Sequence, residues 1–593
     1  MSVAESDAES AESATEGGQV EQTEEQTEEQ GEKEGRCAWR RARYSRRVLD
    51  PTKAVVPGVN ALPTAYVGVH LTVARSDARP GRHTKVIDQL VKAGEALEWT
   101  VTAHPEDVRT ASLRNGVITV GVDAKPGQAQ PDAWRLLQLA RAMGGEATSK
   151  DEYEPLKAAF LSHLLSPVSP RGFAPNTFHE PNTFHEPNTF HEPNTFHEPN
   201  TFHEPNPVVS GATSVAVASY LSAGHGGRQP IAYVGPEPAR LPDAEFQERY
   251  RCRRPVVAVL DTGCWTRHPW FRRTVGGRAQ TPVVRTDVKV RTQTPDGPRW
   301  LPIGYARDRW EAEDQLPEPG ADSRPLDGSL SGIAGHGTFV AGLIHQACPD
   351  ADILSWRIMP PEGESEEAEL LTALCQIIEL VEQNREDPAK GQAIDVLNLS
   401  LGYYHETPEN TDLIDASLRD LLRQLGELGV TVVCSAGNDA TQRPSFPAAF
   451  GPWRGGSPFG ADPAVAPIVS VGALNPDGKI DALFSNVGPW VRHYERGAVL
   501  MSTFPKLRGG YEPIARTWVW DGKERRERTS MDPDDFRSGF AVWSGTSFSA
   551  PLTSGKLASE LLQLLQGQGE RHITPGQAWT AVQVVTGMKP DDD

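Results

Sequence analysis

Five short, strongly apolar runs constrain what this chain can fold into: residues 256–260, 353–358, 393–399, 430–434 and 467–471. A strand with one wet face alternates apolar and polar residues, whereas a run apolar at nearly every position is covered on both faces, as in a parallel sheet. Amphipathic stretches lie between the runs. Residues 366–383 place Leu370, Leu371, Leu374, Ile377, Ile378 and Val381 at helical spacing. Residues 412–428 do the same with Leu413, Ile414, Leu418, Leu421, Leu422 and Leu425, and Gly429 supplies a C-terminal stop. Strands alternating with helices predict an α/β fold, a doubly wound parallel sheet, over residues 210–588. In such sheets the functional site gathers at the carboxyl ends of the strands.

The first run ends in Val-Val-Ala-Val-Leu-Asp261-Thr-Gly. Two other segments share its chemical interest: Gly-His336-Gly-Thr-Phe-Val-Ala-Gly and Ser-Gly-Thr-Ser547-Phe-Ser-Ala-Pro. Together they supply an acid, a base and a hydroxyl, in the chain order Asp, His, Ser. A serine hydroxyl is a weak nucleophile at neutral pH and needs an adjacent base. Ser547 opens an apolar helix, 547–565, whose free N–H groups and positive end suit a developing oxyanion. His336 stands between two glycines at the start of a helix of small residues. Asp261 before Thr-Gly is also a common turn former, and it gains chemical meaning only from the company of the other two.

By these motifs the chain resembles the subtilisin-like serine proteases, the subtilases, over roughly residues 256–551. The resemblance implies a serine endopeptidase that cuts peptide or protein substrates through an acyl-enzyme. In it Ser547 is the nucleophile, His336 the general base and then acid, and Asp261 the residue that orients the imidazole. It further implies that Asn438, in Cys-Ser-Ala-Gly-Asn-Asp, donates a side-chain N–H to the oxyanion hole beside the Ser547 backbone N–H. Three substrate-cleft segments are similar to the family's. Asn398-Leu-Ser400-Leu401-Gly402 is the edge that pairs with an extended peptide, Ala436-Gly437 one wall of the primary pocket, and Pro444-Ser-Phe-Pro-Ala448 a turn at its base. Long inserts at 282–328 and 506–537 depart from the family and are expected to rim the cleft. The Asn/Gly-rich calcium loop of many secreted members has no counterpart between Gly342 and Ile353, so no metal or cofactor is assigned, and calcium would need another site built from acidic insert residues. Cys264, three residues after Asp261, reads as a buried, inert thiol. An intact acid, base, nucleophile and Asn438 argue against a scaffold that has kept the fold and lost the chemistry.

With 593 residues the chain has room for more than one domain. Residues 1–49 are rich in Glu, Gln, Ser and Thr and predict a disordered acidic tail with a basic end, Arg36 to Arg47. Residues 50–165 predict a small α+β domain, with strands at 65–74 and 116–122 and helices at 83–99 and 131–143. Its position fits either a prodomain, as many subtilases carry, or an unrelated adaptor. Residues 166–209 form a linker in which Asn-Thr-Phe-His-Glu-Pro occurs five times, from Asn176 to Pro205. A proline every six residues forbids helix and central strand. In polyproline II successive histidines would stand about 19 Å apart on one face, too far to share a metal without a turn. The tract reads as a spacer, with a docking site for a partner, a metal-responsive histidine tract and a self-cleaved tether as the functional alternatives. Residues 589–593 end the chain on acidic groups.

The net charge is −20, and residues 1–36 hold 12 acidic against 2 basic side chains, half of that excess. No basic face is evident, which argues against a nucleic-acid partner. The six cysteines (37, 252, 264, 348, 375 and 434) show no Cys-x-x-Cys spacing for zinc or redox work. The first residues lack the basic and apolar regions of a secretory signal, and no run of about 18 apolar residues suggests a membrane span. The expectation is a cytoplasmic protein with reduced thiols.

Overall fold

The computed structural model describes residues 46–50, 61–74, 82–104, 117–125, 128–145, 159–165, 229–230, 237–272, 274–275, 278–279, 281–294, 297–303, 333–359, 365–407, 416–453, 462–507, 516–529, 536, 538–567 and 572–590. The acidic tail up to residue 45, the repeat tract and residues 591–593 lie outside them.

The N-terminal unit runs β1 (Arg46–Val48), β2 (Ala65–Ala74), α1 (Arg82–Ala96), β3 (Trp99–His104), β4 (Val117–Ala124), α2 (Ala133–Gly145) and β5 (Ala159–Leu165). Its antiparallel sheet has the order β5-β2-β4-β3, with β1 also on β2. Leu71, Val73, Val120 and Val122 of the sheet pack against Val86, Leu90, Leu136 and Leu137 of the two helices. Two sequence expectations change here. The helix predicted over 83–99 ends at Ala96; Glu98 turns through a left-handed φ of 58°, and Trp99 opens a strand instead. Arg46–Val48, read as part of the disordered tail, pairs with β2; Leu49 is buried and Arg47 meets Asp132 at 2.7 Å. Local composition registers charge, but not the backbone partner that a distant strand offers.

The C-terminal part is built on a seven-stranded, wholly parallel sheet. The sheet and the elements around it that position the site are β6 (Val256–Asp261), β7 (Val284–Arg285), α3 (His336–Ala347), β8 (Asp352–Arg357), β9 (Ser365–Glu366), α4 (Glu367–Glu386), β10 (Val396–Leu399), α5 (Ala416–Glu427), β11 (Thr431–Ser435), β12 (Ile468–Leu474), β13 (His493–Arg496), α6 (Thr546–Leu565) and α7 (Pro575–Thr586). The sheet order is β7-β8-β6-β10-β11-β12-β13. All five apolar runs became strands of this sheet. The two edge strands, β7 and β13, escaped the sequence reading because each is short and only partly apolar.

Both faces of the sheet are covered, as the unbroken runs require. Val257 and Val259 of β6 face α3 and α6, whereas Val256, Ala258 and Leu260 face α4 and α5. Burying each such Val or Leu side chain contributes about 1.5–3 kcal/mol. The chain winds away from β6 on one side and from β10 on the other, so the strand order reverses between these two neighbours. That reversal opens a crevice at their carboxyl ends, where Asp261 and Ser400 lie. Among the described residues, no helix is long and apolar enough to cross a membrane.

The two units share structure. β9 adds to the N-terminal sheet, pairing antiparallel with β5 in the register Leu165↔Ser365 and Leu164↔Glu366. Leu62 N–H also donates to the Glu406 carbonyl at 2.7 Å.

Candidate active site

Asp261 is the last residue of β6, fully buried, and its Oδ1 accepts from the Thr262 N–H at 2.7 Å. His336 is the first residue of α3. Its Nδ1 lies 2.8 and 2.9 Å from the two Asp261 carboxylate oxygens. With Nδ1–H donated to a carboxylate, the lone pair of neutral His336 sits on Nε2, as a general base requires. Nε2 is buried and makes no hydrogen bond. The ring is held between Trp543, edge-on at 5.5 Å, and Phe548 at 5.2 Å.

The glycines around His336 have a sharper reason than freedom for the imidazole. Gly335 has φ +85°, and a Cβ there would fall 2.1 Å from a Phe504 ring carbon. At Gly337 a Cβ would fall 2.0 Å from the Gly263 carbonyl oxygen and 3.1 Å from Asp261 Oδ1. Gly337 therefore lets α3 press its first turn against the end of β6, which brings imidazole and carboxylate together. Gly337→Ala is expected to push these two elements apart and cut activity by at least about 100-fold, the cost of a roughly 1 Å misplacement. Peptidase assay beside circular dichroism checks this; a folded variant with normal turnover would refute it.

Ser547 is the second residue of α6, which follows Gly545. Its Oγ donates to the Ser400 carbonyl at 3.3 Å, and its own carbonyl accepts from Ser400 Oγ at 2.8 Å. The hydroxyl is thus turned toward the end of β10 rather than hydrogen-bonded to His336 Nε2. Catalytic hydrogen bonds are often long or misaligned without substrate. Asn398 Nδ2 donates to Ser400 Oγ at 2.9 Å and Ser554 Oγ donates to Asn398 Oδ1 at 3.0 Å, which staples β10 to α6.

Asn438 lies just beyond β11, and its Oδ1 accepts from both the N–H and the hydroxyl of Thr546, at 2.8 and 2.9 Å. A backbone N–H can only donate, so the amide orientation is settled, with Oδ1 toward Thr546 and Nδ2 on the other side. Thr546 Oγ1 also accepts from Gly437 N at 3.0 Å, where Gly437 has φ +107°. Sequence reasoning missed Thr546 as a positioning group, although it lies inside the Ser-Gly-Thr-Ser motif.

Of the residues expected to line a cleft, Ser400 meets Ser547 directly, while Leu401 is fully buried in the sheet core. Gly402 lets the chain pass the 445–446 turn: a Cβ would meet Ser445 Oγ at 2.8 Å and the Phe446 carbonyl at 3.1 Å. Tyr403 then bridges Phe446 through two backbone hydrogen bonds of 2.8 Å. Ala436 donates its N–H to Val471 O and accepts from Asn486 Nδ2, both at 2.9 Å. Asp261, His336, Ser547 and Asn438 are 0, 1, 2 and 4 % exposed, and Cys264 is buried.

A second polar cluster lies where the two units meet, with no counterpart in the sequence reading. His163 of β5 is fully buried between two carboxylates: Nδ1 is 2.6 Å from Glu367 Oε2 and Nε2 is 2.9 Å from Glu406 Oε2. Burial opposes its charge, but the two glutamates outweigh burial and raise its pKa to about 10, so the ring is an imidazolium at neutral pH. Burial pushes neighbouring His405 down to about 4, leaving it neutral. One atom each from His163, His405 and Glu406 lies within 4.8 Å of the others, a spacing a divalent ion could span. The lone pairs do not fit that use. His163 donates through both nitrogens, and His405 Nδ1 accepts the Thr407 N–H at 3.0 Å. His163, Glu367 and Glu406 are satisfied as a proton-held ion triad, whereas His405 Nε2 is buried without a hydrogen bond.

Comparison with known proteins supplies independent evidence. Residues 253–578 match the model described as the subtilase family. The chain is 24% identical over 339 residues to an intracellular serine protease of Paenibacillus polymyxa, across 55% of this chain and 71% of that protein. It is also 24% identical over 269 residues to the major intracellular serine protease of Bacillus subtilis (strain 168), across 43% of this chain and 61% of that protein. Among solved structures it is similar to a cold adapted subtilisin-like serine proteinase, with 18% identity and a TM-score of 0.31 over 60% of this chain and 88% of the other. A lanthipeptide protease aligns with 18% identity and a TM-score of 0.33 over 56% and 80%.

Proposed function

The chain belongs to the subtilase family and is a subtilisin-like serine peptidase; from that premise we propose that it is an intracellular, regulated endopeptidase working through an acyl-enzyme with Asp261, His336 and Ser547 as its triad. The observation that carries this reading is the paired contact of His336 Nδ1 with both Asp261 oxygens, which leaves a buried, unbonded Nε2. Ser547 rotates from the Ser400 carbonyl to His336, loses its proton to Nε2 and attacks the scissile carbonyl. His336, now an imidazolium steadied by Asp261, hands the proton to the leaving amine. Water then enters, gives a proton to His336 and attacks the acyl carbonyl; as the bond to Ser547 Oγ breaks, His336 returns that proton to the serine and the carboxylic product leaves. Every proton is carried by a group of the chain, so the scheme needs no metal or cofactor.

The oxyanion sits between the Ser547 N–H, at the start of α6, and Asn438 Nδ2. Asn438→Ala is expected to lower kcat about 10²–10³-fold with little change in KM, because the donor acts on charge that exists only in the transition state. Steady-state kinetics on a peptide substrate decide it; an equal loss in ground-state binding would count against this role.

A fluorophosphonate probe tests the reading as a whole. It should label the wild-type chain and not Ser547→Ala; equal labelling of both would sink the proposal. The near-complete burial of the four groups fits a resting state in which the cleft is closed. Control by the N-terminal unit, the linker or the inserts accords with a peptidase kept among cellular proteins. In that resting state a small fluorophosphonate should react faster than a tetrapeptidyl phosphonate, and equal rates would speak for an open cleft.

A further inference from the structure

Residues 403–406 leave the cleft edge at Gly402 and are gripped from both sides. On one side stands the N-terminal unit. Thr64 Oγ1 donates to the Tyr404 carbonyl at 2.5 Å, Leu62 N–H donates to the Glu406 carbonyl, and His163 binds the Glu406 carboxylate. The His163 ring also stacks on Tyr403 with centroids 4.5 Å apart. On the other side stands the loop that carries Asn438. The Tyr404 hydroxyl donates to Asp439 Oδ2 at 2.7 Å and accepts from Asn486 Nδ2 at 2.8 Å. Asn486 Oδ1 accepts from the N–H groups of Asp439 and Thr441, at 3.0 and 3.2 Å, and Asn486 Nδ2 also reaches the Ala436 carbonyl. One phenol therefore closes a ring of hydrogen bonds around residues 436–441, with Asn438 inside it. Tyr404 is 2 % exposed, and the Arg443 guanidinium lies 4.9 Å from its ring centroid.

We infer that Tyr404 is a positioning residue for the oxyanion hole, and that docking of the N-terminal unit on residues 403–406 sets its aim, coupling that unit to catalysis. This rests on the triad reading above and adds to it a route of control. The physical basis is register. Asn438 Oδ1 is fixed by Thr546, but the loop that carries Asn438 is fixed by Asp439 and Asn486, and both reach Tyr404. A shift of segment 403–406 when the N-terminal unit loosens moves the phenol, and with it the backbone next to the oxyanion donor. A donor pulled off line loses worth quickly, since hydrogen bonds weaken steeply with angle.

The test uses the full-length chain and the rate at which a small fluorophosphonate labels Ser547, a reaction that needs the oxyanion hole but occupies no peptide subsite. Tyr404→Phe keeps the ring and deletes the hydroxyl; labelling should slow by about 5–10-fold, the worth of one or two misplaced hydrogen bonds. On a peptide substrate the same variant should lose kcat with KM unchanged, whereas a purely structural role would lower only thermal stability. Thr64→Val, close in shape, removes one docking contact and should slow labelling severalfold in the wild-type background. In the Tyr404→Phe background it should have little effect, because the wire is already cut. His163→Gln serves as a second docking variant should Thr64→Val prove silent in binding the unit. Normal labelling of Tyr404→Phe, or full additivity of the docking and Tyr404 variants, would overturn the inference. Failure of the wild-type chain itself to label would instead overturn the triad reading, so the two failures are distinct.

Discussion

Replacing Ser547 with alanine is expected to reduce turnover by about 10⁶-fold, and His336→Ala by a similar factor, the magnitude measured for the subtilisin nucleophile and base. The double variant should be scarcely worse than either single one. Nucleophile and base act as one unit: without Ser547 the proton that His336 would take is gone, and without His336 the hydroxyl stays protonated. What remains is the catalysis supplied by binding and by the oxyanion donors Asn438 and Ser547 N–H. Neither substitution should unfold the protein. The Ser547 hydroxyl donates to the Ser400 carbonyl at 3.3 Å, and His336 is held chiefly by Asp261 and two rings. Purified variants with unchanged thermal midpoints and a residual activity about 10³–10⁴-fold above the uncatalysed rate are the predicted result. Additive losses in the double variant would show that the two side chains do not share a step.

His163→Ala should have the largest effect on stability, a loss of about 3–5 kcal/mol, because it leaves Glu367 and Glu406 buried without their shared cation. The effect has a characteristic pH dependence. The folded pKa of His163, about 10, lies above the ordinary imidazole value of 6.5. Its contribution is therefore complete below about pH 6.5 and drains away as pH rises through about 10. Unfolding of the wild-type chain followed from about pH 7 to above about pH 10 should show a falling midpoint, with the N-terminal unit releasing first. The variant should lack this fall over the same range. Parallel slopes in both proteins would show that the triad of His163, Glu367 and Glu406 is not what titrates.

The two sites differ in how they could be found. Asp261, His336, Ser547 and Asn438 each lie in a local pattern of five to eight residues whose composition reports a geometry: a strand end, a glycine-bracketed helix start, a helix mouth, a tight turn. The His163 cluster draws on positions 163, 367, 405 and 406, and no local pattern marks any of them. Tyr404 and Asn486 are likewise ordinary residues in sequence, joined only because β10 and β12 lead their chains to the same end of the sheet. The small domain shows the same limit. Helices α1 and α2 and strands β2 and β4 were legible from their periodicity, whereas β1, β3 and β5 were not. Arg46–Val48 is charged, Trp99–His104 continues a helical pattern, and Ala159–Leu165 is a short apolar run without alternation.

Local patterns along the chain were enough for the parallel sheet, because runs apolar at nearly every position are covered on both faces, and they marked the candidate acid, base and nucleophile, although Asp261 gained its meaning only beside the motifs of His336 and Ser547. Tertiary structure alone decided how these groups stand to one another. It turned the Ser547 hydroxyl toward Ser400, left His336 Nε2 buried and unbonded, and oriented the Asn438 amide through Thr546. It also joined the N-terminal unit to the cleft edge through a buried imidazolium. Backbone pairing and long-range hydrogen bonds carry these decisions. They depend on which segments the fold brings within 3 Å, a property that composition and period along the chain do not encode.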